Sequence, residues 1–63
     1  MLKFGLFSRS ADGWMTARGT VSTSRGLAIR FTSYDEADLY RDQRFASGDI
    51  ATPYVWLIVV WKE

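Results

Sequence analysis

The run Tyr54-Val55-Trp56-Leu57-Ile58-Val59-Val60-Trp61 is apolar at every position, and no other stretch narrows so far what this chain can fold into. Eight residues fall well short of the roughly 18 or more that a membrane-spanning helix needs. The density of β-branched and aromatic side chains reads instead as a strand. Successive side chains of a strand point to opposite sides of the sheet, so Trp56 and Trp61, one even and one odd, are expected to face opposite ways. Both faces of this strand are therefore apolar, and a single helix covers only one.

The rest of the composition limits what else can help. A chain of 63 residues makes one domain, 1–63, and a domain of that size buries only about 60% of the surface its unfolded chain exposes. With 48% hydrophobic and 16% aromatic residues it belongs to the folded class rather than the disordered one. There is no cysteine and no histidine, which removes disulfides, thiolate zinc sites and the commonest acid/base and metal-ligating group. No cofactor is expected. Eight basic residues nearly cancel seven acidic ones, for a net charge of +1, well below the excess of a domain built to hold a phosphate backbone. Met1 to Ser10 lacks the apolar core of a signal peptide, and the sequence reads as a cytoplasmic protein, complete from Met1.

Along the chain, Leu2, Phe4 and Leu6 alternate with Lys3, Gly5 and Phe7, predicting a first strand over 2–8. Asp12-Gly13 supplies the positive φ of a tight turn, Trp14 to Val21 is the return strand with a bulge at Gly19, and Ser22 to Gly26 is a second turn. Leu27 to Phe31 alternates again and predicts a third strand. Ser33 followed by Glu36 is a capping box, so a helix should start there and run to Phe45 or Ala46, with Asp35, Glu36 and Asp38 near its start and Arg41 and Arg44 near its end, as the helix dipole favours. Residues 47–53 form a loop, in which Pro53 sits at a strand edge.

The expected fold class is thus α+β, a small β-β-β-α-β domain whose mostly antiparallel four-stranded sheet carries one helix on one face. The last strand is expected inside the sheet, because a long apolar edge invites aggregation. If it lies parallel to the third strand, the helix is a right-handed crossover. Ala37 and Tyr40 should touch the sheet. Val55, Leu57 and Val59, the smaller residues, are expected beneath them, which leaves Tyr54, Trp56 and Ile58 outside.

Each candidate site competes with a plainer explanation. Asp35, Asp38 and Asp42 share a helix face and could hold a divalent cation, but helix-start acids on a solvated face explain them better. Gly19 to Gly26 resembles a phosphate-cradling loop only until its second glycine is seen to open a strand rather than a helix. Catalysis without histidine would need a carboxylate or lysine of shifted pKa in a cleft, and Lys3 and Lys62 lie at opposite ends. The uncovered strand face has one plain explanation: Arg18 and Arg30 laid across it.

The stronger reading is a partner, since large apolar patches and the residue types Trp, Tyr and Arg mark interfaces. Candidate partner-binding residues are Phe7, Trp14, Arg18, Arg30, Tyr54, Trp56 and Trp61. The sequence therefore predicts a non-enzymatic binding domain that docks on a larger protein or complex through an aromatic sheet face or edge. In size and layout it resembles phage or mobile-element proteins that inhibit host enzymes or defence complexes, although no motif matches any one of them. Two alternatives are a homodimeric accessory protein and a single-stranded nucleic-acid binder that uses sheet aromatics with Arg9, Arg18, Arg25 and Arg30.

Overall fold

A computed structural model describes residues 1–50 and 55–63. The elements are β1 (Leu2–Ser8), β2 (Gly13–Met15), β3 (Val21–Ser22), a 3-10 turn (Arg25–Leu27), α1 (Tyr34–Ala46) and β4 (Trp56–Lys62). They form an α+β domain with a four-stranded antiparallel sheet in the order β3-β2-β1-β4. Tyr54 and Pro53 lie outside the described residues.

The first hairpin and the helix form where local chemistry predicts them. Ser8, almost fully buried, accepts from the Ala11 N–H at 3.2 Å and meets the Ser10 hydroxyl at 3.0 Å, closing the loop into β2. The positive φ of the Asp12-Gly13 pair falls on Asp12, at 52°. Ser33 caps α1 by accepting from the Glu36 N–H at 3.2 Å. Only half of the capping box forms, because the Glu36 carboxylate accepts from the Thr32 hydroxyl.

The third strand is not where alternation placed it. Thr16 accepts from the backbone N–H groups of Arg18 and Thr20 through its hydroxyl, and Gly19 takes φ +80°. These local bonds compete with strand extension. They fold the chain back at once, so that Met15 pairs with Val21, and Gly19 is a turn residue rather than a bulge. Leu27–Phe31 is then displaced from the strand role. It contributes isolated bridges only, Thr16↔Ala28 and Phe4↔Phe31, with Ile29 donating to the Met15 carbonyl at 2.9 Å.

Two further expectations about β4 are corrected. It lies at the edge of the sheet, not inside, and pairs antiparallel with β1 over seven consecutive residues from Ser8↔Trp56 to Leu2↔Lys62. The pairing has no bulge, so Trp56 and Trp61 do face opposite ways. The parity, however, is reversed. Trp56 and Ile58 pack under α1 with Leu6, Met15, Phe31, Ala37 and Ile50, while Leu57 is exposed on the other side. The reason is complementarity of size: Ala37 is wholly buried and presents almost no side chain, so the space beneath it suits a large indole rather than a valine.

Candidate docking surface

The side of the sheet away from α1 is built from the odd residues of β1 and β4 together with Trp14. Trp14 pairs with Phe7 across β1 and β2. Their rings meet edge to face at 5.0 Å, and Trp14 meets Trp61 in the same manner at 5.4 Å. Trp61 can lie flat across β1 because Gly5 is beneath it: a Cβ at that position would stand 2.8 Å from the indole ring. One glycine thus makes the berth for one tryptophan.

Trp61 is nevertheless only 8% exposed, and side chains rather than a second helix cover it. The guanidinium groups of Arg25 and Arg30 sit 5.3 and 5.9 Å from its ring centre, a cation–π arrangement. Arg30 is held in place by donating to both oxygens of Glu63 at 2.9 Å and to the carbonyls of Ala28 and Gly26. Glu63 in turn accepts from the Trp61 indole N–H at 3.1 Å. The indole bond first, and Arg30 second, hold the Glu63 carboxyl below the usual glutamate range.

This arrangement divides the outer face in two. The Trp61 half is closed by Arg25, Arg30 and Glu63. The other half is open: Leu57 is 42% exposed and pairs with half-buried Phe7, and a groove of about 340 Å³ runs between Arg9, Ser10, Val55 and Leu57. Arg9 thus lies beside the apolar strip, and Arg25 and Arg30 lie beyond Trp14 and Trp61 at the other end of the face.

Of the seven residues singled out in the sequence, Phe7, Trp14, Arg30 and Trp61 come together on this face. Trp56 does not, being a core residue on the opposite side, and Arg18 does not, lying in the Thr16–Thr20 turn beside a hollow lined by Gly19, Arg44, Ile50 and Trp56. Tyr54 lies outside the described residues. Arg25, which the sequence offers only for the nucleic-acid alternative, joins the cluster on this face, and Gly5, Leu57 and Glu63 are site residues that sequence reasoning does not single out. Glu63 was findable, since it falls two residues beyond Trp61 and hence on the same strand face. Of the helix acids, Asp38 is bound to Arg41 at 2.6 Å. Arg44 is bound to Asp49 at 2.8 Å, and the Tyr40 hydroxyl and Asp49 raise its pKa further. No helix of the described residues is long and apolar enough to cross a membrane.

No protein family matches the sequence, no curated protein matches it, and no solved structure matches the fold.

Proposed function

We propose that this protein is a small cytoplasmic binding module that docks on a larger protein through the open half of its outer sheet face, blocking or adapting its target without chemistry of its own. Inhibition of a host enzyme or defence complex by a phage-like accessory protein is the biological setting that fits this size and layout. The observation that carries the reading is the apolar strip of Phe7, Leu57 and Val55, with Arg9 beside it and, beyond Trp14 and Trp61, Arg25 and Arg30 at the far end of the face. An apolar centre with a charged rim is the usual anatomy of a protein interface, and arginine rims favour a partner with an apolar knob ringed by carboxylates.

Single-stranded nucleic acid is the less favoured partner. Base stacking needs an open ring face, whereas Trp61 already carries two guanidinium groups and the Phe7 and Trp14 rings meet edge to face.

The test is affinity capture from host lysate with the wild-type protein and with Leu57→Glu, a change at an exposed position. Retention of one large protein complex by the wild type, its loss with Leu57→Glu and an unchanged melting temperature are the expected results. Recovery of nucleic acid alone, or capture indifferent to the substitution, would overturn the proposal.

A further inference from the structure

The hydrogen-bonding phase of the β1–β4 pair fixes what the free edge of β4 offers. The Met1 amine donates to the Glu63 carbonyl at 2.7 Å and the Glu63 N–H donates back to Met1 at 2.8 Å, so these two residues exchange both bonds. Antiparallel pairs alternate between bonded and non-bonded. Through the unbroken register, Lys3–Trp61, Gly5–Val59 and Phe7–Leu57 are then the bonded pairs. Phe4 agrees, since it turns its N–H and C=O the other way, to Phe31. The backbone groups of Trp56, Ile58, Val60 and Lys62 consequently point away from β1, where no described residue pairs with them as a strand.

One of these groups is already occupied. Arg41, reaching down from α1, donates to the Trp56 carbonyl at 3.0 Å while bound to Asp38. Three outward residues remain at spacings of two: Ile58, Val60 and Lys62. Val60, the middle one, is 51% exposed.

We infer that this edge pairs antiparallel with the same edge of a second copy, about a two-fold axis through Val60, to give a continuous eight-stranded sheet. The edge is self-complementary in this register. Val60 meets Val60 of the second copy, Ile58 meets its Lys62, and each of the three outward residues finds a backbone partner while the Arg41 bond to Trp56 survives. Charge agrees as well. Lys62 shares the parity of Trp56 and Ile58 and so lies on the helix side. Opposite Ile58, it is brought to the flank of α1 that leans Asp38 over this edge, and it does not face its own copy. Helix spacing gives an independent check. α1 packs on β1 and β4, and two helices each centred over such a pair, with strands about 4.8 Å apart, stand about 10 Å from one another, the distance at which helices pack.

This surface is the edge, distinct from the outer face assigned above to the larger protein, and the two can fail separately. Sedimentation from micromolar to millimolar concentration should show the mass doubling and the melting temperature rising with concentration. Val60→Lys, which sets like charges opposite each other across the axis, should keep the protein monomeric with an unchanged circular dichroism spectrum. Val60→Pro removes an N–H that bonds no described residue of the monomer and should do the same, and Leu57→Glu should leave the dimer intact. A wild type that stays monomeric at millimolar concentration would overturn the inference, as would a Val60→Lys protein that still dimerises, or a wild-type monomer whose β4 edge is protected only on adding an unrelated strand peptide.

Discussion

The two faces of this sheet bury a tryptophan to nearly the same degree by different means. Trp56 is 7% exposed beneath α1 and Trp61 is 8% exposed on the far side. Under the helix, cover comes from Ala37, Tyr40, Ile50 and Phe31, close-packed apolar surface that depends little on pH or salt. On the far side it comes from two guanidinium groups, of which Arg30 is held by the Glu63 carboxylate, over a berth made by Gly5. Equal exposure therefore conceals unequal strength, since an exposed ion pair is screened by water and salt, whereas a filled core site contributes several kcal/mol. A small chain with one helix closes one face well and the other only in part.

The largest effect that separates the faces should be Trp56→Ala. Emptying a core site of that size costs about 3–5 kcal/mol, a large share of what a domain this small has in total, and loss of the cooperative melting transition by circular dichroism is the expected result. Gly5→Val comes next. The new side chain would collide with the Trp61 ring, a cost of about 1–3 kcal/mol, and the displaced indole should red-shift its fluorescence while the helix signal remains.

Acid should distinguish the faces more gently. The Glu63 carboxyl has its pKa lowered in the folded protein by the Trp61 indole N–H and then by Arg30. Its contribution is therefore complete above the ordinary glutamate value and is lost as the pH falls below that value through the folded one. The Trp61 indole N–H resonance should move over that window and the Trp56 resonance should not. Smallest in stability is Leu57→Ser, expected within about 0.5 kcal/mol because the side chain is already exposed. Equal stability with lost partner binding would locate the interface on the open strip.

How much of this was legible in the sequence follows from how local each cause is. The α1 start at Ser33, the β1 alternation and the opposite facing of Trp56 and Trp61 depend on nearest neighbours and on the pleat, and all three are found. The displacement of Leu27–Phe31 depends on a competition: alternation favoured a strand there, but the Thr16 hydroxyl bonds reversed the chain earlier. The parity of β4 depends on which of two apolar sets fits Ala37, a question of shape between residues about 20 positions apart. Edge placement depends on β1 being free on that side once β2 and Phe31 occupy the other. In the outer cluster the aromatics were visible as types, whereas the cover on Trp61 required knowing that the 3-10 turn carries Arg25 across to β4.

The register of β1 against β4 also bears on how fast the molecule can form. The longest ladder in the sheet joins Leu2 to Lys62, so its contacts have close to the greatest sequence separation this chain allows, and only the short β2 and β3 hairpins and α1 are local. Contacts of that kind gain nothing until a loop spanning most of the chain has closed. A mostly helical chain of similar length would fold sooner, because folding rates fall as contacts become less local. Covalent joining of Met1 to Glu63, which are already hydrogen-bonded, would remove most of that closure entropy and should accelerate folding more than it slows unfolding.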